Sequence, residues 1–218
     1  MELAARQYTW PGGAKLPYDA EVEYLAQNSI QAYIDSGIVA TEKTACECSA
    51  YTLATPGYYG TDFFGSRQSY NSRAFEVGLK SAGMISTWGG SYTPAIEISD
   101  PTSPHIYKLD RGSLFVDGVL KHTFGTAGVP FSTPTPIWIF ACYNFPYRQV
   151  SAVRYCKIWQ DAIIVRDFIP VRVGSGANAV GYMYDRVSGQ LFGNAGTGAF
   201  IIGPDASAAN GGGISANA

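Results

Sequence analysis

The chain has 218 residues, of which 46% are hydrophobic and 15% are charged, and its formal net charge is -2. This length is enough to bury the core of one large domain. The weakly acidic balance excludes a broad electrostatic attraction to nucleic acid or to anionic membranes. The 25 glycines, 15 tyrosines and 11 phenylalanines are typical of an all-β protein with many turns.

The two ends of the chain are predicted to be short flexible arms. Residues 1–17 are polar and then glycine-rich, and residues 204–218 are small and polar, so neither end can bury much apolar surface. The start lacks a basic segment followed by an apolar run, which predicts no signal peptide. No apolar stretch approaches the length of a membrane span. The sequence therefore predicts a protein that is made in a cytoplasm.

From Tyr18 onward, apolar and polar residues alternate as they do in β-strands. In "EVEYLAQNSIQAYIDSGI" the candidate inward positions are Tyr24, Ile30 and Ile34. "KTACECSAYTL" places Cys46 on one face and Glu47 on the other, as expected of a half-buried strand.

The four cysteines are predicted to be reduced and buried. Cys46 and Cys48 lie too close together for ordinary disulfide geometry, and their spacing is not that of a zinc-binding pair. Packing is therefore favoured over a metal site or a disulfide between Cys142 and Cys156. No metal ligands are assigned.

Turn signals separate the later strands. Asp117-Gly118 between "SLFV" and "VLKHTF" is a strong hairpin signal, and Gly89-Gly90 separates two further strands. "PIWIFACYNF" is predicted to pair with "AVRYCKIWQ" across a loop at residues 146–149. No long helical periodicity is present, and the strand spacing is typical of a sandwich or barrel.

Three segments resemble concanavalin A-like (laminin G-like) jelly-roll domains, which are frequent in phage and gut-bacterial proteins. These are "EVEYLAQNSIQAYIDSGI", "RGSLFVDGVL" and a C-terminal segment that contains "IWIFACYN", "RYCKIWQDAIIVRDFIPVR" and "VGYMYDRVSGQLFGNAGTGAF". The resemblance covers residues 18–203. It implies an antiparallel two-sheet jelly-roll sandwich but no single activity, because this fold carries lectins, hydrolases and virion proteins.

The "VRDF" and "YDR" motifs are predicted to be structural. Arg166 and Asp167 are adjacent, so on a regular strand they point to opposite faces and cannot pair directly. Each is expected to meet Asp185 or Arg186, which favours a polar network over catalysis.

No enzymatic activity is predicted. "GNAGTG" lacks the lysine and the following helix of a phosphate loop, so a tight turn explains it better. Glu21 and Glu23 are the nearest match to a hydrolase carboxylate pair, and the resemblance already explains them. Glu97 and Asp100 have a spacing that places them on opposite faces of a strand.

No cofactor is predicted, although calcium stays an alternative, since many domains of the resembled family bind it through loop carboxylates. The candidate acids are Asp62, Asp100, Asp110, Asp117 and Asp185. They are not clustered in sequence, and aspartate also suits turns by itself.

Aromatic residues beside glycines and prolines are the candidate ligand-binding residues. They are Tyr58, Tyr59, Trp88, Tyr92 and Tyr147. Aromatic rings in loops stack on sugars or anchor protein interfaces, and they also cap the ends of a sandwich core. All three interpretations remain open at this point.

The predicted function is that of a non-enzymatic phage virion protein, either a capsid decoration or a fibre-associated component, with glycan contact as an additional role. The N-terminal arm would bind other virion proteins, and the protein would be a homo-oligomer or part of a larger assembly. The alternative is a bacterial carbohydrate-binding module or lectin.

Overall fold

The computed structural model describes residues 16–55, 60–67, 73–80, 83–142 and 150–206. In this part of the chain two antiparallel sheets form a sandwich, which confirms the predicted all-β class. Most of the predicted arms lies outside the described residues. Within the described ranges, no helix is long and apolar enough to cross a membrane.

The strands are short at both ends of the chain and longest near its C-terminal third. They are β1 (Ala20–Glu21), β2 (Leu25–Gln27), β3 (Ile34–Thr41), β4 (Thr44–Thr52), β5 (Thr61–Ser66), β6 (Phe75–Lys80), β7 (Gly83–Trp88), β8 (Ser91–Tyr92), β9 (His105–Asp110), β10 (Ser113–Val116), β11 (Val119–Thr123), β12 (Ser132–Ile139), β13 (Ser151–Gln160), β14 (Ile163–Val173), β15 (Val180–Asp185), β16 (Gln190–Phe192) and β17 (Phe200–Ile202). A 3-10 turn, Gly176–Asn178, precedes β15.

Over the described residues the larger sheet has eleven strands, and its main path runs β11-β10-β9-β4-β13-β14-β15-β16. β1 pairs with β14, and β2 pairs with β13 and β17, so both ends of the described chain close the same sheet. Beyond β17, Asp205 forms an isolated bridge with Val22 and accepts two hydrogen bonds of 2.7 Å from Arg172. The Ala206 N–H donates to the Glu21 carbonyl at 2.9 Å.

In the part of the chain that the structure describes, the smaller sheet has six strands in the order β3-β12-β5-β6-β7-β8. The predicted pairing of "PIWIFACYNF" with "AVRYCKIWQ" is wrong. β12 pairs with β3 and β5, whereas β13 pairs with β4, β14 and β2 in the other sheet. The chain between these two strands crosses from one layer to the other, and the predicted loop lies in the undescribed segment 143–149.

The core lies between the two sheets. Phe63 of β5 stacks on Tyr107 of β9 with ring centroids 4.6 Å apart, which joins the layers directly. Cys46 and Cys48 face this core as predicted, and all four cysteines are free and buried. Ile34 is fully buried, whereas the predicted inward residues Tyr24 and Ile30 are half-buried.

The hairpin turn between β13 and β14 holds a strained alanine. Asp161 and Ala162 have φ angles of 51° and 65°, in the left-handed region that glycine occupies without penalty. We expect Ala162→Gly to raise the free energy of unfolding by about 0.5–1 kcal/mol, which urea denaturation will measure. Ala179, with an ordinary φ of -67°, is the control, and its replacement by glycine should lower stability. Equal losses in both variants would contradict this account.

Candidate functional site

The outer face of the larger sheet carries a polar and aromatic surface, here called the platform, made by three neighbouring strands. Strand pairing places its members in three rows across β9, β4 and β13: Ile106–Ser49–Tyr155, Lys108–Glu47–Lys157 and Asp110–Ala45–Trp159. The residues between them on the same strands are buried in the core. Because side chains alternate along a strand, one face packs and the other is left to make contacts.

An open cleft of about 600 Å³ lies at one end of the platform. Ser49, Ile106 and Tyr155 lie within it, and Glu23, Asp117 and Arg154 add charged groups around them. The volume lies in the range of small-ligand sites.

A β-bulge directs Arg154 into the cleft. The register of β13 against β4 shifts between Val153 and Tyr155, so Arg154 is the extra residue. Bulges locally turn a side chain away from the regular alternation. Arg154 is exposed, although it directly follows the buried Val153.

Tyr155 is fixed beside the cleft by its neighbours. Its hydroxyl donates to Glu47 Oε1 at 3.1 Å, and Lys157 Nζ lies 5.5 Å from its ring centroid. Burial and the adjacent Glu47 carboxylate both raise the pKa of Tyr155. The phenol therefore stays neutral, and its ring is held in one place by a hydrogen bond and a cation–π contact.

Asp117, on the opposite side of the cleft, is held by His105. His105 Nδ1 lies 2.7 Å from Asp117 Oδ2, and its Nε2 lies 2.9 Å from the Asp100 carbonyl oxygen. Asp117 Oδ1 also accepts the Ile106 N–H at 2.8 Å. Both ring nitrogens face acceptors, and the imidazolium alone can donate to both.

The contact between His105 and Asp117 raises the pKa of the histidine and lowers the pKa of the aspartate. Burial alone would lower the pKa of His105, but its bonds to Asp117 and Asp100 raise it above the ordinary value. Burial alone would raise the pKa of Asp117, but the Ile106 N–H and His105 bring it below the ordinary value.

Because the folded-state pKa of His105 is raised, we expect the free energy of unfolding to fall as the pH rises through neutrality. The His105 contribution is complete below about pH 6.5 and is lost as the pH rises through the folded pKa. The Asp117 contribution is present above about pH 3.9 and is lost as the pH falls through its folded pKa. We expect the urea midpoint to fall between about pH 6 and about pH 8, and His105→Gln to remove that component. His122→Gln, at a ring that packs 4.8 Å from Phe124, should retain it, and the same pH slope in both variants would count against the assignment.

A smaller depression of about 200 Å³, here called the turn-end depression, lies at the other end of the platform. Trp159, Ala45 and Ala162 line it together with the charged residues Lys43, Lys108, Asp110 and Arg111. The sequence prediction did not select Arg154, Tyr155 or Trp159. Tyr155 and Trp159 could have been found from the alternation of Tyr155, Lys157 and Trp159 with Cys156 and Ile158, which places the first three on the outer face.

Of the five predicted ligand-binding aromatics, the structure describes Trp88 and Tyr92. Trp88 was expected in a loop, but it is the last residue of β7 and is fully buried, so its ring cannot stack on a ligand. The glycine pair that follows it forms the turn to β8. Tyr92 lies on β8 at the sheet edge and is 42% exposed. Tyr58, Tyr59 and Tyr147 lie outside the described residues.

The "VRDF" and "YDR" motifs form the polar network that the sequence suggested. Arg186 Nη2 lies 2.8 Å from Asp167 Oδ2, and Arg166 Nη1 lies 3.7 Å from Asp185 Oδ2. Asp185 is fully buried and accepts the backbone N–H of Asp167, Val187 and Ser188 as well as the Ser188 hydroxyl. A carboxylate with this many donors stabilises the local chain.

The "GNAGTG" segment, residues 193–198 and here called the strap, is hydrogen-bonded to the loop before β3. The Ala195 N–H donates to the Tyr33 carbonyl at 2.9 Å, and the Thr197 N–H donates to the Gln31 carbonyl at 3.1 Å. Asn194 Oδ1 accepts the N–H groups of Tyr33 and Gly196, both at 3.0 Å. These internal bonds occupy the amides that a phosphate would need, in agreement with the tight-turn interpretation.

The candidate calcium ligands are dispersed. Asp62 lies within β5 and is buried rather than in a turn, while Asp100 binds Thr102 and Ser103, and Asp110 binds Lys108 and Arg111. Over the described ranges, no group of three or more acidic, histidine or cysteine side chains is arranged to hold a metal ion.

The smaller sheet contains a buried ion pair that the sequence analysis did not single out. Arg67 Nη1 lies 3.2 Å from Glu76 Oε1, and the side chains are 7% and 1% exposed. The Cys142 thiol donates to Glu76 Oε2 at 2.9 Å. Burial raises the pKa of Cys142, and the Glu76 carboxylate raises it further, so the thiol keeps the proton that it donates.

The chain is thus a two-sheet antiparallel β-sandwich with an open cleft on the outer face of its larger sheet. No protein-family model and no curated protein sequence match it. Among solved structures it is similar to the binding domain of botulinum neurotoxin DC in complex with rat synaptotagmin II, with 10% identity, a TM-score of 0.37, and coverage of 84% of this chain and 71% of that chain. It is also similar to the crystal structure of HCR/D-Sa-GBL1/C, with 9% identity and a TM-score of 0.35. That comparison covers 80% of this chain and 69% of the other chain.

Proposed function

We propose that this chain is a non-enzymatic glycan-binding protein that is displayed on a phage virion. The observation that carries the glycan assignment is the bulge that places Arg154 beside Tyr155 in the cleft. Planar charged side chains bind sugar hydroxyls, and a fixed tyrosine ring offers an apolar face and a polar edge. Glu23 and Asp117 supply acceptors on the same cleft.

Binding is favoured over hydrolysis by the state of Asp117. A general acid needs a raised pKa, whereas the contacts of Asp117 with Ile106 and His105 hold its pKa below the ordinary value. Glu47, next to the cleft, accepts the Tyr155 hydroxyl. These carboxylates position neighbouring side chains, which suits a binding site.

The virion assignment and the concanavalin A-like jelly-roll class rest on the sequence motifs quoted for residues 18–203. In this proposal the N-terminal arm attaches the protein to other virion proteins and the sandwich projects outward. A bacterial carbohydrate-binding module would use the same cleft.

A glycan-array scan of the purified full chain, with calcium and again with chelator, tests the binding function. We expect reproducible binding that Arg154→Ala abolishes and that Arg73→Ala leaves unchanged. Arg73 is an exposed arginine next to β6 in the other sheet, so it controls for the loss of one surface charge. Chelator sensitivity would place calcium at the ligand.

Absence of binding under both conditions would overturn the glycan assignment and leave a purely structural virion role. Binding that survives Arg154→Ala but is lost in variants of Tyr92 would move the site to the β8 edge. Tyr155→Phe removes one hydroxyl and should weaken binding while leaving the thermal midpoint close to that of the wild type.

A further inference from the structure

Three hairpin turns meet at the turn-end depression. Lys43 lies in the turn before β4, Arg111 lies in the turn after β9, and Asp161 lies in the turn after β13. Antiparallel pairing aligns these positions, since Ala45 is paired with both Asp110 and Trp159. Residues distant in sequence are thereby placed around one small concave surface.

We propose that the turn-end depression binds the carboxylate-bearing sugar of an acidic glycan whose remaining residues occupy the cleft. The inference rests on the proposed glycan-binding function and adds the class of ligand. Ser49 in the cleft and Ala45 in the depression are four positions apart on β4, about 13 Å along the strand. One elongated ligand can therefore contact both ends of the platform.

The charges around the depression favour an anion. Lys108 Nζ lies 3.2 Å from Asp110 Oδ2, and Arg111 Nε lies 2.9 Å from Asp110 Oδ1, so two cations share one carboxylate. Lys43 pairs with Asp161 at 3.2 Å, with both side chains about 60% exposed. An ion pair this exposed is weak and can exchange for a ligand anion. Three cations and two carboxylates leave a net positive charge.

Arg111 is placed to make the direct contact. Its bond to Asp110 uses Nε, and among the described residues its two terminal nitrogens have no hydrogen-bond partner. A guanidinium presents two such donors in the geometry that a carboxylate accepts. Arg111 also has a φ of 45°, in the left-handed region where a turn favours glycine or asparagine.

Trp159 supplies the surface for the sugar ring. Its side chain is half-buried on the outer face of β13, and Lys108 Nζ lies 5.6 Å from its ring centroid. Ala45, its partner on β4, is small. An aromatic face next to two cations suits a ring that carries one carboxylate, because stacking and charge pairing act on the same residue.

The test compares glycans that differ in one charge. Each uronic-acid or sialic-acid glycan on the array is printed beside its methyl ester, which keeps the ring and removes the negative charge. We expect the acids to bind about tenfold better than their esters, and the preference to shrink as salt rises from about 20 mM to about 500 mM. The double variant Lys43→Gln with Arg111→Gln should lose the preference and still bind neutral glycans.

The matched control is Arg73→Gln with Lys80→Gln, which removes two positive charges from the other sheet. Equal binding of acids and esters by the wild type would overturn the carboxylate assignment while the glycan function stands. Loss of the preference in the control as well would assign it to overall charge and would also overturn the inference. Absence of binding to every glycan would overturn the proposed function and this inference together.

Discussion

Replacement of Trp88 by alanine is expected to lower the free energy of unfolding by about 3–5 kcal/mol. The side chain is fully buried at the end of β7, and its ring lies 5.7 Å from Phe75 and 5.1 Å from Phe131. Removal of the indole leaves a cavity among rings that belong to a sandwich core and cannot all move inward. Urea denaturation followed by circular dichroism measures the change.

Two further variants separate packing from other causes. Trp88→Phe keeps an aromatic ring and also removes the indole N–H, which has no hydrogen-bond acceptor among the described residues, so it should cost much less. Tyr92→Ala, at a 42% exposed edge position, is the surface control. A Trp88→Ala loss within about 1 kcal/mol of the Tyr92→Ala loss would show that the ring is not a core residue.

The position of Trp88 also determines how binding experiments should be designed. A loss of binding in Trp88→Ala would not identify a ligand contact, because the same substitution weakens the packing of the core. Arg154 and Lys43 are exposed, so their replacement changes the platform with little effect on the core. Binding variants are therefore best chosen from these positions.

Local signals predicted much of the fold. Asp117-Gly118 does form the turn between β10 and β11, and Cys46 and Cys48 do face the core, because turn chemistry and alternation are properties of neighbouring residues. The sheet partner of β12 was not predictable in this way. A strand of either sheet shows the same half-buried pattern, and the choice of partner depends on contacts between residues far apart in sequence.

The candidate site was less predictable than the fold. Gly89 and Gly90 suggested that Trp88 lies in a loop, although a turn glycine also follows the last inward residue of a strand. The exposure of Tyr155 and Trp159 depends on which face the second sheet covers. Arg154 is turned outward by a bulge, which breaks the alternation that sequence reasoning uses.

Gly196→Ala is the second large expected effect, with a loss of about 3 kcal/mol in the free energy of unfolding. A Cβ at this position would lie 1.8 Å from the Gln31 carbonyl oxygen and 2.9 Å from the Tyr33 ring. Neither neighbour can easily move. The Gln31 carbonyl accepts the Thr197 N–H at 3.1 Å, and Tyr33 stacks on Trp138 with centroids 4.2 Å apart.

Gly125→Ala is the matched control, because a Cβ at Gly125 meets nothing within 4 Å and its φ is not in the left-handed region. Its expected effect is within about 0.5 kcal/mol of zero. A thermal or urea midpoint for Gly196→Ala equal to that of Gly125→Ala would show that the strap moves away without cost. A large loss at Gly196 alone would show that this glycine is required for close approach of two backbones, which is the structural role that the absence of a lysine and of a following helix first suggested.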